Sequence, residues 1–173
     1  MSAMKERIGV ITMKGKPLTL VGQEVSVGGK APEFVAIDNA LNPIPWSSFQ
    51  GKTVVLSSVP SLDTPVCDLE TRRFNEEASR LSPEIIFLTI SMDLPFAQRR
   101  WCGAAGVTRV QTLSDHREAS FGLAYGVLIK ELRLLARAVF IVDRAGIIRY
   151  IQLVPEVAQE PDYPAVIQAL KKI

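Results

Sequence analysis

The chain has only two thiols, Cys67 and Cys102, 35 positions apart. Cys67 lies in PSLDTPVCDLE, Pro60 to Glu70, between an apolar run and a helical pattern. At a helix start, unpaired backbone N–H groups and the positive end of the dipole favour thiolate over thiol. Cys67 precedes Phe74 by seven residues, two helical turns, so it shares the inward stripe. Its thiol is therefore expected to look into a cleft at the strand's carboxyl end, where α/β folds usually keep their chemistry. Thr64, three residues upstream, can donate its hydroxyl to the sulfur or to an oxygen held against it. Pro60 and Pro65 remove two backbone donors and stiffen the turn, and Asp63 is the expected N-cap. A buried, inert cysteine at a helix start fits the same residues, and it is the commoner fate of an isolated thiol.

Cys102 lies in a different helical segment, which excludes a local C-x-x-C dithiol. With a single histidine in the chain, His116, a zinc site has too few ligands; His116 reads as a surface or cap residue. Trp101 reads as packing. A link between the two cysteines would close a loop worth about 3–4 kcal/mol of chain entropy, so a structural disulfide is energetically open. Arg137 interrupts the apolar run LLARAVFIVD, on a face shared with Leu135, Val139 and Ile141. A guanidinium there needs an anion or several acceptors. A thiolate at the neighbouring strand end and a structural carboxylate are equally compatible partners.

The elements that must position these groups follow from periodicity. ITMKGKPLTLVG predicts an N-terminal β-hairpin, and NPIPW a proline-punctuated loop after the irregular GGKAPEFVAID. KTVVLSSV and EIIFLTISM are buried strands. VCDLETRRFNEEASRL is an amphipathic helix with Phe74, Ala78 and Leu81 inward and Arg72, Arg73, Glu76 and Glu77 outward. LPFAQRRWCGAAG is a shorter helix, opened by Pro95 and weakened by Gly103 and Gly106, which would ease local unfolding near Cys102. REASFGLAYG is another short helix, RAVFIVDRAGIIRYIQLV a hairpin turning at DRAG, and YPAVIQALKKI a closing amphipathic helix. This order predicts an α/β thioredoxin-like fold, a central mixed β-sheet flanked by helices, as a single domain over residues 1–173.

Composition restricts the function classes. The chain is 47% hydrophobic and 22% charged, with a formal net charge of +2. There is no basic footprint for nucleic acid, and no apolar segment at the start suits a secretory signal or a membrane span. The expected compartment is the cytoplasm, where thiols stay reduced.

PSLDTPVC matches the P-x-x-x-T-x-x-C signature of the peroxiredoxins through Pro60, Thr64 and Cys67. With SMDLPFAQRRWC, LLARAVFIVD and QLVPEVAQEPDYPAVIQAL in the same order, nearly the whole chain resembles the thiol peroxidase subfamily, the atypical two-cysteine type. The resemblance implies a peroxidatic Cys67, a resolving Cys102 that forms a transient intramolecular disulfide, and Arg137 in the active centre with Thr64 and Pro60. It implies hydroperoxide substrates, a thioredoxin-type dithiol reductant and a homodimer, with no cofactor and no metal. The departure is LIKELRLLAR, shorter and glycine-free where the family usually has a glycine-containing loop; it bears on the dimer contact or the pocket rim over residues 128–135. Two rivals remain at this stage: a one-cysteine peroxidase with a structural Cys102, and a catalytically silent thioredoxin-fold binding module.

Overall fold

Runs of β-branched and aromatic residues bounded by turn signals become strands where predicted. The computed structural model describes residues 3–173. The chain opens with β1 (Glu6–Met13) and β2 (Lys16–Val21), antiparallel about a two-residue turn. Lys14 and Gly15 both have positive φ in that turn, 50° and 78°, the primed geometry that matches strand twist. Then follow β3 (Val35–Ile37), β4 (Pro43–Pro45), β5 (Val54–Ser58), α1 (Pro65–Arg80), β6 (Ile86–Ser91), α2 (Pro95–Ala105) and β7 (Val110–Ser114). The chain finishes with α3 (Ser120–Ala124), β8 (Leu128–Ile129), β9 (Leu134–Leu135), β10 (Ala138–Val142), β11 (Ile148–Leu153) and α4 (Tyr163–Leu170).

The central sheet has seven strands in the order β11-β10-β5-β6-β7-β3-β4. β5, β6 and β7 are parallel, whereas β10 runs antiparallel to β5. Alternate residues of the buried strands feed two cores. Val55, Phe87, Val139 and Ile141 pack under α1 and α4 against Phe74, Ala78, Val166 and Leu170. Val54, Leu56, Leu88, Ile90 and Phe140 face the other way, onto Leu18, Leu20, Phe34 and Phe121. That second face is covered not by a helical layer but largely by a small sheet, β1-β2-β8-β9, together with α3. The thioredoxin-like mixed sheet predicted above is thus present, with the hairpin serving as part of its second cover.

The elements the sequence reading passed over are short or mixed in pattern. NPIPW is not only a loop: Pro43–Pro45 pairs with β3 as an edge strand, where missing N–H groups are tolerated. VQTLS is β7, a strand whose apolar pattern is interrupted by polar residues: Thr112 and Ser114 are buried, whereas Gln111 is exposed. The glycine-free segment after β8 turns tightly, with Arg133 taking the left-handed conformation (φ 50°) and its N–H donating to Ile129. Gly106 lies outside the helix interior. It is the left-handed C-cap of α2 (φ 65°), so it ends the helix favourably, and only Gly103 weakens it from within.

Candidate active site

Strand register brings distant residues together. Ala138 pairs with Ser58 at the carboxyl end of β5, so the residue before it, Arg137, stands beside the turn into α1. Arg137 therefore lies at the mouth of β10, not inside it, and Leu135 belongs to the opposite core from Val139 and Ile141. The predicted shared face fails because the chain changes sheet between β9 and β10. Ser58 Oγ donates to the Ala136 carbonyl at 2.7 Å and fixes that junction.

Arg137 is 1% exposed and all three of its guanidinium nitrogens are hydrogen-bonded. Nη2 donates to Cys67 Sγ at 3.2 Å, Nη1 to Glu70 Oε2 at 2.5 Å, and Nε and Nη2 both donate to the Val157 carbonyl, at 3.1 and 2.9 Å. The two partners expected as alternatives for Arg137 are both present: the Cys67 sulfur and the Glu70 carboxylate. Burial works against the Arg137 charge, but Glu70 and Cys67 outweigh it and hold the guanidinium above its ordinary value. Burial pushes the Glu70 carboxyl up, partly offset by Arg137 and by Ser57 Oγ, which donates to Glu70 Oε1 at 2.8 Å.

Glu70 was missed in the sequence. Its signal was there: it follows Cys67 by three positions, on the stripe that Phe74 continues, so a carboxylate was being aimed into the core. Only the partner across the sheet explains it.

Cys67 lies in the first turn of α1, as expected, but it is 0% exposed. The expectation of a thiol looking into an open cleft is corrected: Val59, Leu62 and Trp101 cover the sulfur. Asp63 is not the cap; Thr64 occupies the N-cap position with extended backbone, and Pro65 opens the helix. Nor does the Thr64 hydroxyl bond the sulfur. It donates to the Ser61 carbonyl at 2.8 Å. Pro60 is buried at the exit of β5.

Trp101 is more than packing. Its indole N–H donates to Asp68 Oδ1 at 2.7 Å, Arg72 pairs with Asp68 Oδ2 at 3.0 Å, and the Arg72 guanidinium lies over the indole ring at 5.8 Å. Arg72 also donates to the Ala105 carbonyl near the end of α2. α2 is thereby fastened along α1. Cys102, half-buried, faces elsewhere, with Sγ 3.3 Å from Thr112 Oγ1, which bonds Asn39. Both cysteines are free thiols. His116 bonds Ser114 Oγ through Nδ1 and is not among the contacts of Cys67 or Arg137. Among the described residues no helix is long and apolar enough to cross a membrane.

A cysteine at the first turn of the helix after the central strand, held by an arginine at the mouth of the neighbouring antiparallel strand, on a thioredoxin-like sheet, is an arrangement suited to thiol redox chemistry. The Redoxin family profile matches residues 26–167. The thiol peroxidase of Bacillus subtilis is 53% identical over 163 residues, covering 94% of this chain and 97% of that protein. The thiol peroxidase of Staphylococcus aureus (strain MRSA252) is 52% identical over 163 residues, covering 94% and 98%. A peroxiredoxin-like protein from Aquifex aeolicus superposes with a TM-score of 0.88 at 41% identity, over 99% of both chains. The chain belongs to the thiol peroxidase family, and with it to the peroxiredoxin class of oxidoreductases.

Proposed function

We propose that the chain reduces hydrogen peroxide and organic hydroperoxides by a two-cysteine cycle. The thiolate of Cys67 attacks one peroxide oxygen; the S–O bond forms, the O–O bond breaks, and the departing alkoxide or hydroxide takes a proton. Sulfur is oxidised to the sulfenic acid and the peroxide is reduced to water or an alcohol. Cys102 then attacks that sulfur, an S–S bond forms and the hydroxyl leaves as water. A thioredoxin-type dithiol restores both thiols by exchange.

The observation that carries this reading is the Arg137 guanidinium 3.2 Å from Cys67 Sγ. Magnitudes say what it is for. A free thiol is already a few per cent ionised at neutral pH, so complete ionisation gains only about thirty-fold in nucleophile. Larger acceleration comes from orienting the peroxide and stabilising charge on the departing oxygen. Arg137, kept charged and immobile by Glu70 and the Val157 carbonyl, suits the second task. Thr64, at the helix entrance, suits the first, and Pro60 restricts the turn.

Disulfide formation requires α2 to come away from α1 and Cys102 to leave Thr112, which makes the Asp68–Trp101 bond the contact to be broken. The engagement of Cys102 with Thr112 also favours a second reading, a one-cysteine peroxidase with a structural Cys102. Intact mass after one equivalent of peroxide separates them: loss of two hydrogens, mapped to a Cys67–Cys102 link, supports the two-cysteine cycle. A stable Cys67 sulfenic acid without a link would overturn it. Cys102→Ser is expected to turn over once and then stop unless a substitute thiol is added. Two reduced thiols fit a cytoplasmic setting and, by family likeness, a homodimer is the expected assembly, with the glycine-free residues 128–135 as the segment whose departure from the usual family pattern bears on its contact.

A further inference from the structure

Asp93, in the loop between β6 and α2, enters none of the steps above, yet its carboxylate ties down the turn that leads to Cys67. Oδ1 accepts from Ser61 Oγ at 2.6 Å; Oδ2 accepts from the Leu62 N–H at 2.8 Å and from Ser91 Oγ at 2.7 Å. Its main chain is anchored in turn. The Asp93 carbonyl accepts from Ser114 Oγ at the end of β7, and Ser91 Oγ accepts from the buried amide of Gln98 on α2. Asp93 thus spans from the ends of two parallel strands to the turn before Cys67, its carboxylate reaching Ser91 and its carbonyl Ser114.

Ser61 passes this restraint on. Its carbonyl accepts from both the Thr64 N–H at 3.2 Å and the Thr64 hydroxyl at 2.8 Å, while its own Oγ accepts from the Asp63 N–H at 3.2 Å. A carbonyl carries no proton, so the hydroxyl is the donor in that bond, and the rest of Thr64 Oγ1 presents lone pairs. We propose that Asp93 is a positioning residue that, through Ser61, fixes the Thr64 hydroxyl as an acceptor for the peroxide O–H. This rests on the peroxidase reading and adds a polarity to it. Thr64 accepts at the proton-bearing end of the peroxide, while Arg137 donates to the oxygen that leaves. The two ends of the O–O bond are thereby distinguished before attack. Held by Asp93 on its main chain, Leu62 also stays over the sulfur, so the covering group that yields to a substrate is Trp101 on the α2 side.

The test compares Asp93→Asn, Thr64→Val and the double variant. Stopped-flow oxidation by hydrogen peroxide and alkylation of reduced Cys67 by iodoacetamide are measured on each. Asp93→Asn is expected to slow peroxide oxidation about ten-fold or more while alkylation stays within about two-fold, because misplacement penalises the oriented reaction selectively. In the Thr64→Val background the same change should slow oxidation by less than about two-fold, since residues acting through one another are not additive. Ser61→Ala removes one tether and leaves the Leu62 N–H in place; it should give a smaller loss with the same dependence on Thr64, and it decides the matter if Asp93→Asn does not fold. Independent, multiplying losses, or alkylation falling in step with oxidation, would overturn the proposal. Thr64→Val reacting at the wild-type rate would also overturn it, yet would leave the Cys67–Arg137 reading standing. A wild-type protein that consumes no peroxide would instead strike the parent reading.

Discussion

At the residue scale the central group is the Arg137 guanidinium, which donates to both the Glu70 carboxylate and the Cys67 sulfur. Arg137 and Glu70 form an ion pair of side chains 2% and 0% exposed, and removing one partner of such a pair leaves a buried charge at about 3–5 kcal/mol. Arg137→Ala would therefore confound catalysis with folding. Arg137→Lys keeps the charge but loses the planar fork that reaches Cys67, Glu70 and Val157 together. It is expected to lower the second-order rate with peroxide by about a hundred-fold or more, the scale of losing one oriented donor, with a much smaller fall in iodoacetamide reactivity. Parallel falls in both rates would remove leaving-group stabilisation from Arg137. Glu70→Gln retains a Ser57 acceptor but releases the guanidinium; a loss of peroxide reactivity of about ten-fold, without loss of the free thiol, is the expected result.

At the element scale, the proposed cycle makes the contact between α1 and α2 the barrier to the approach of the two cysteines. Trp101→Phe keeps the ring that covers Cys67 and removes only the N–H donated to Asp68. A hydrogen bond to a partly exposed carboxylate is worth about 1 kcal/mol, about five-fold in the opening equilibrium. Disulfide formation after the sulfenic acid should accelerate by about that factor, read from rapid-quench mass spectrometry; an unchanged rate would show that the helices part elsewhere. A second element carries a pH signature. Asp115 accepts from the Phe121 and Gly122 N–H groups at 2.9 and 2.8 Å and caps α3, while burial raises its carboxyl from 3.8 to about 6. With the folded value above the unfolded one, its stabilisation is complete below about pH 4 and is lost as pH rises through about 6. Denaturant titrations should show an unfolding free energy that falls between pH 4 and 7, by up to about 3 kcal/mol from this group, and Asp115→Asn should flatten that component.

At the scale of the whole molecule, the proposed two-cysteine cycle requires α1 and α2 to part while the sheet holds. Both thiols are free and separately engaged, so oxidation to the disulfide should raise hydrogen exchange over residues 62–70 and 95–105 and leave β5, β6 and β10 protected. Equal protection in both redox forms would refute local opening. Much of this was legible in the chain. Periodicity marked the strands of the sheet centre and α1, because an apolar stripe is a local property; Pro95 marked where α2 begins; and the order of motifs placed Cys67, Thr64, Pro60 and Arg137 in one family pattern. What the sequence left open depends on contacts between distant segments. The burial of Cys67 under Leu62 and Trp101, the carboxyl of Glu70 beneath Arg137, and the hold of Asp93 on Ser61 follow from strand register and helix docking. No local pattern encodes which buried charge meets which partner, since that is decided only when the sheet closes and desolvation leaves each polar group the neighbours it has.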